Sequence, residues 1–233
     1  MKRIPLVLIP GLLCDALLWR AQVDNLADVA DIWVADHTRS DTMDGVARDV
    51  LADAPFASFA LAGLSMGGYI AFEVLRQAPQ RVSRLALLDT AATPESPEQT
   101  QMRMQLIALA GRGDFPRVTE ILLPLLIHSS RLAERALTDT VKSMADNIGK
   151  DAFVRQQKAI ISRPDSRAAL SAIACPTLVL CGRQDERTPP ARHEEIAAAI
   201  PGARLEVIEE CGHLSTLERP SAVNAALRRW LSV

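Results

Sequence analysis

The stretch Phe59-Ala60-Leu61-Ala62-Gly63-Leu64-Ser65-Met66-Gly67-Gly68-Tyr69-Ile70-Ala71-Phe72 decides the fold. It starts as an apolar run of strand character over 59–62. The run breaks at Gly63-Leu64-Ser65-Met66-Gly67 and resumes as a helix-like stretch over 69–78, ended by Pro79. Strand, sharp turn and helix in succession put Ser65 at the apex of a Gly-x-Ser-x-Gly. Such a turn strains the serine backbone, commonly to positive φ, and lifts Oγ above the strand end. The flanking glycines remove Cβ atoms where strand and helix crowd each other. The helix behind the turn offers amide donors and a positive dipole end to negative charge developing near the serine. An ordinary strand-to-helix turn shares this spacing, so the reading depends on the rest of the chain.

The chain of 233 residues carries a formal charge of −2. That length allows one large domain, or a domain with an insertion, and is ample to bury a core. The absence of a basic balance argues against a nucleic-acid partner. The N-terminus has the basic start of a signal peptide, but its apolar run is short and is cut by Pro10-Gly11; it reads as a buried strand over Ile4–Ile9. No apolar run approaches the roughly 20 residues that span a bilayer. Cys14, Cys175, Cys181 and Cys211 form no C-x-x-C pair, and the expectation is reduced thiols in a cytoplasmic protein.

Outward from the central stretch, strands are expected at Ile4–Ile9, 32–35, 59–62 and Val82–Leu88, with helices at 16–26 and 43–52 between them. Strands alternating with helices predict an α/β fold with a parallel sheet covered on both faces. The alternation stops over 93–171, where helical stretches at 98–110, 117–127, 132–147 and 151–162 are separated by Gly111-Arg112-Gly113 and Gly149. This segment reads as a helical cap inserted into a core formed by 1–92 and 172–233. Strands return at 177–181 and 204–209, with helices at 190–200 and 221–231, the last capped by Ser221.

Both returning strands end in reactive residue types. One leads into Gly182-Arg183-Gln184-Asp185 and the other into Cys211-Gly212-His213. Ser65, Asp185 and His213 therefore lie past the carboxyl ends of three strands, the edge where parallel α/β sheets place their sites. A serine hydroxyl becomes a competent nucleophile when a neutral imidazole accepts its proton. A carboxylate fixes the imidazole tautomer and stabilises the imidazolium as it forms. Asp89, which also ends a strand, is the rival acid, and Glu186 replaces Asp185 only if the strand end shifts by one. Among the other histidines, His193 reads as solvated beside Glu194 and Glu195, His37 as structural or exposed, and His128 as a possible substrate contact.

These segments together resemble the α/β-hydrolase fold family of serine hydrolases over nearly the whole chain, with the insertion matching by position alone. Gly63-Leu64-Ser65-Met66-Gly67-Gly68 looks like its nucleophile elbow, Gly182-Arg183-Gln184-Asp185 its acid segment, and Gly212-His213 with Glu218-Arg219-Pro220 its histidine segment. The resemblance implies a catalytic Ser65, Asp185 and His213, and an oxyanion hole from the backbone N–H of Met66 and of Leu12, with Leu13 as the second choice for Leu12. Pro10 stands where family members often have His. The family usually opens with two further strands; here a trimmed sheet of about six strands is expected, with Ile4–Ile9 between neighbours and the second strand at an edge.

The resemblance implies a carboxylesterase-like enzyme needing no cofactor and no metal. The apolar insertion suggests a small-molecule substrate with a hydrophobic acyl or alcohol group; Leu106, Leu109, Leu122, Leu123, Leu125 and Met144 are candidates for the lining, with packing between helices the favoured reading of these six. No membrane partner is expected. A C–C bond hydrolase or lyase using the same three residues is the alternative, and a non-catalytic binding protein of the same fold is the other; fold alone does not separate them.

Overall fold

A computed structural model describes residues 3–232. Six strands form one parallel sheet: β1 (Ile4–Ile9), β2 (Ala30–Val34), β3 (Phe59–Leu64), β4 (Val82–Leu88), β5 (Thr177–Gly182) and β6 (Arg204–Ile208), in the order β2-β1-β3-β4-β5-β6. The expected parallel sheet of six strands is present. β1 pairs with β2 and β3, and β2 is an edge strand.

Side chains alternate across the sheet with a period of two, and each face meets its own helices. Val7, Ile9, Leu61, Leu85, Leu87 and Val179 pack under α2 (Met43–Asp53), α3 (Met66–Gln77) and the later helix that carries Ile196. Leu6, Leu8, Leu64, Leu88, Leu178 and Leu180 face the opposite way, against Leu18, Trp19 and Leu26 and the C-terminal helix residues Val223, Leu227 and Trp230. Burial of each such Val or Leu side chain contributes about 1.5–3 kcal/mol. The sheet is therefore a rigid base on which loop side chains can be held in fixed geometry. Residues 16–26 divide into a 3₁₀ turn at Ala16–Trp19, capped by the Asp15 carboxylate, and α1 (Arg20–Leu26).

Between β4 and β5 the chain forms α4 (Pro97–Gly111), α5 (Phe115–Leu126) and α6 (Arg135–Ile161). Gly149 interrupts α6 with φ 72° and ψ 168°, so the two expected helices join through a turn that a residue with Cβ would strain to make. A separate apolar cluster of Leu106, Ala110, Val118, Leu122, Ala145 and Phe153 holds these helices together and reaches the sheet through Leu13. The chain closes with α7 (Pro190–Ala199), α8 (Ser215–Glu218) and α9 (Pro220–Leu231). Ser221 does not cap α9: the helix starts one residue earlier, with Pro220 in its first turn and no side-chain cap. Proline has no N–H to leave unsatisfied there and its φ is already helical. Among the described residues no helix is long and apolar enough to cross a membrane.

Candidate active site

The sequence around Ser65 folds into the expected sharp turn. β3 is buried along its whole length and α3 begins at the next residue, leaving Ser65 at φ 56° and ψ −114°. Its amide is tied to Leu88 O of β4 at 2.9 Å. The turn closes only because Gly63 and Gly67 lack side chains. A Cβ on Gly63 would overlap the Gly67 carbonyl, and one on Gly67 would overlap the Ile9 carbonyl of β1. Thr90 braces the far side, its hydroxyl donating to Ser65 O at 2.8 Å.

The turn after β5 and the loop after β6 bring two further groups to Ser65. Ser65 Oγ lies 2.8 Å from His213 Nε2, and His213 Nδ1 lies 2.8 Å from Asp185 Oδ2. The hydrogen-bond pattern assigns the tautomer: Nδ1–H donates to the carboxylate, leaving the Nε2 lone pair to accept from the serine hydroxyl. Imidazole and carboxylate are both buried. Asp185 is held by four donors. Its Oδ1 accepts from the backbone N–H of Arg187 (2.8 Å) and Thr188 (2.9 Å), and its Oδ2 from the Thr188 hydroxyl (2.7 Å) and His213. Burial pushes its pKa up, but the charge and hydrogen bond of His213 and the Thr188 donors outweigh that and hold it below the usual carboxylate range. An ionised carboxylate here can stabilise an imidazolium.

Asp89 makes no bond to His213. Its carboxylate is fully buried and accepts from Gly182 N–H (3.1 Å), Ser215 N–H (3.2 Å) and the Ser215 hydroxyl (2.5 Å). Burial first, then the negative charge of Asp185, pushes its pKa well above the ordinary range. It joins the turn after β5 to the start of α8 and so supports both loops of the site. The His213 loop is held from the other side by Glu218, whose carboxylate accepts from Gly212 N–H and His128 N–H at 2.9 Å each.

The loop after β1 lies against the elbow. Within the described protein neither Leu12 N–H nor Met66 N–H has an acceptor. Leu13 N–H is already committed to Gln156 Oε1 at 3.1 Å. Gln156 Nε2 also lies 3.0 Å from His37 Nε2, and His37 Nε2 lies 3.0 Å from Gly11 O. This buried pair braces the loop where Pro10 offers no side-chain donor. Gln156 was invisible to sequence reasoning, since it sits on α6 more than a hundred residues away. Thr188 was also missed, although Asp185 followed by Thr three residues later is a recognisable side-chain-to-backbone turn pattern.

Two readings of histidine change. His193 is not solvated: it is fully buried, its Nε2 accepting from Thr90 N–H at 2.8 Å. Burial pulls its pKa down to about 4, which keeps it the neutral acceptor that this bond needs. The short helix α7 turns Ile196 and His193 together to the sheet and leaves Glu194 in solvent. His128 stays at the surface side, with Nδ1 2.7 Å from the Ser130 hydroxyl, and supports its loop through its backbone. Burial disfavours the thiolate form of the cysteines beside the site. Burial and the charge of Asp15 push Cys14 up to about 12, and burial raises Cys211 as well. Among the described residues no three His, Cys, Asp or Glu side chains converge as a metal site requires.

Ser65 and His213 open into a cavity of about 490 Å³. Leu12, Leu122, Leu126, Ile160 and Leu214 form its apolar wall, and Arg103, Arg163, Arg167, Arg187 and Arg192 also line it. Of the six insertion residues weighed as lining candidates, Leu122 alone reaches the wall, in keeping with the favoured packing reading. Leu106 and Met144 are buried in helix packing.

The comparisons with known proteins agree with this construction. The family model described as alpha/beta hydrolase fold matches residues 4–220. An esterase from Thermogutta terrifontis, solved with malate bound, superposes with TM-score 0.91 and 30% identity, over 99% of this chain and 90% of that one. An enol-lactonase from Burkholderia xenovorans gives TM-score 0.90 and 25% identity, over 100% and 93%. A pimeloyl-[acyl-carrier protein] methyl ester esterase from Nitrosomonas europaea is 26% identical over 231 residues, 92% of this chain and 90% of its own length. Sheet order, elbow and family match run through the same residues: the chain is an enzyme of the α/β-hydrolase fold family, one of its hydrolases.

Proposed function

We propose that this hydrolase cleaves a small carboxylic ester through an acyl-enzyme on Ser65. In this reading His213 takes the serine proton as Oγ attacks the carbonyl carbon. The tetrahedral oxyanion accepts from Leu12 N–H and Met66 N–H. Collapse of the intermediate expels the alcohol, which leaves with the proton from His213. Water, deprotonated by the same imidazole, then attacks the ester carbonyl and releases the acid. Asp185 orients the ring and offsets its positive charge at each step. The observation carrying the reading is the pair of 2.8 Å contacts on opposite nitrogens of one buried imidazole.

The helices of residues 93–171 act as the cap in this account. They supply Arg103, Leu122, Leu126, Ile160 and Arg163 to the cavity, so substrate is held between cap and sheet edge. The apolar wall suits a hydrophobic portion of an acyl or alcohol group. Four unpaired cysteines fit a cytoplasmic setting.

Turnover of p-nitrophenyl butyrate, quenched with acid within the first catalytic cycle, tests the acyl-enzyme. The expected outcome is a burst of nitrophenol approaching one equivalent, with a butyryl adduct in the intact-protein mass. Hydrolysis across ester, thioester and lactone panels with neither burst nor adduct under any condition would count against a covalent route.

A further inference from the structure

Five guanidinium groups and one carboxylate, that of Glu95, line the cavity above Ser65. Their ion pairs do not balance. Arg167 is paired with Asp165 and Glu195, and Arg192 with Glu195, so those two are compensated at the cavity rim. The deeper three are not. Glu95 alone serves both Arg163 and Arg103. Arg187 is half-buried and forms no salt bridge with a described acidic side chain. Three positive charges against one negative leave an excess of two in a partly apolar cavity, where uncompensated charge is costly.

Arg103 makes the excess specific. It is only 8% exposed, donates from one terminal nitrogen to Gln157 Oε1 at 2.7 Å, and its Nε finds no aligned acceptor although Glu95 Oε1 is 3.0 Å away. Burial lowers its pKa and outweighs the opposing charge of Glu95, and Arg187 lines the same cavity. Holding α4 and the end of α6 over the sheet accounts for Glu95 with one arginine, and the stack of Arg163 on the Tyr69 ring at 4.2 Å adds to that anchor. It does not account for a second guanidinium on the same carboxylate, or for the unpaired Arg187 beside it.

We infer that the substrate of this site carries a carboxylate remote from the scissile ester, bound by Arg103 and Arg187, with an apolar segment between the two groups. The inference rests on the serine-hydrolase reading above and narrows it. A carboxylate is favoured over a phosphate because the cluster already holds one, Glu95, between the guanidiniums of Arg103 and Arg163, and a planar guanidinium matches a planar carboxylate.

The test uses two matched pairs of esters. Methyl hydrogen adipate and methyl hexanoate differ by a carboxylate on the acyl side; ω-carboxypentyl acetate and hexyl acetate differ by one on the alcohol side. In one pair the charged member is expected to have a kcat/KM larger by about tenfold or more. That ratio should fall about tenfold in Arg187→Gln, recover partly in Arg187→Lys, and shrink as salt is raised. Equal or faster hydrolysis of the neutral member in both pairs overturns the inference, and so does a preference for the matching phosphonates over the carboxylates. Calorimetric binding of the same esters to Ser65→Ala protein separates the two readings. Tighter binding of the charged member supports the inference even without turnover, and absent turnover then counts against the serine mechanism alone. Charged esters that bind no tighter than neutral ones overturn it.

Discussion

Replacing Ser65 with alanine is expected to lower kcat by about a million-fold, with the protein still folded. The magnitude follows from losing covalent catalysis outright, leaving only binding and oxyanion stabilisation, and corresponds to about 8 kcal/mol of barrier. The fold should survive because the substitution keeps the Cβ that already tolerates φ 56°, and the bracing bonds of this residue are made by its backbone, to Leu88 O and from the Thr90 hydroxyl. Only Oγ is lost, and its one partner is His213. Circular dichroism and thermal melting check the fold while hydrolysis of a short aryl ester checks the rate. A folded Ser65→Ala protein with the parent rate, free of parent contamination, would end the proposed mechanism.

Asp185→Asn is expected to cost about four orders of magnitude in kcat. The amide can place its oxygen toward the backbone N–H groups of Arg187 and Thr188 only by turning its NH₂ toward His213 and the Thr188 hydroxyl, and His213 then presents the wrong tautomer to Ser65. Asp89→Asn should act differently. Asp89 makes no hydrogen bond to His213, and its partners are Gly182 N–H, Ser215 N–H and the Ser215 hydroxyl. Its pKa is already pushed upward, by burial and then by Asp185, so a neutral amide is a closer substitute there than at Asp185, where ionisation is favoured. The expected cost is a loss of stability of about 1–3 kcal/mol from one mismatched donor, with kcat within about tenfold of the parent. Both variants assayed at one pH decide the matter. A crippled Asp89→Asn beside a nearly normal Asp185→Asn would move the acid to the end of β4.

The strands were legible because they obey strong local rules, and their order because the resemblance to the α/β-hydrolase family carried it over. β1 and β4 carry the apolar runs 6–9 and 85–88, bounded by turn residues, and the elbow glycines mark a place where strand and helix must nearly touch. The three residues now grouped at the sheet edge were legible for a related reason: each follows a strand, and a parallel sheet delivers all its strand ends to one edge. What escaped is what depends on contacts far along the chain. His193 looked solvated between charged neighbours, yet its partner is Thr90 on another loop. The pair of His37 and Gln156 joins segments 119 positions apart, so nothing near either residue announces it.

The insertion showed the limit of composition most clearly. Its leucines suggested a greasy cavity, but helices that pack on each other consume their own apolar faces. Leu106 and Phe153 are buried in that packing, whereas Arg103 and Arg163 turn toward the cavity. An arginine's role depends on which acids reach it, and Glu95 meets both only after the helices fold back over the sheet.

The account turns on Ser65 being the group that attacks. Reaction of the active enzyme with a fluorophosphonate, read by intact mass and then by peptide mapping, tests this most directly. The predicted result is a single adduct on Ser65, formed in step with loss of esterase activity and absent from Ser65→Ala protein. An adduct on another residue that tracks the loss of activity, or an active enzyme that the reagent leaves unmodified, would contradict it.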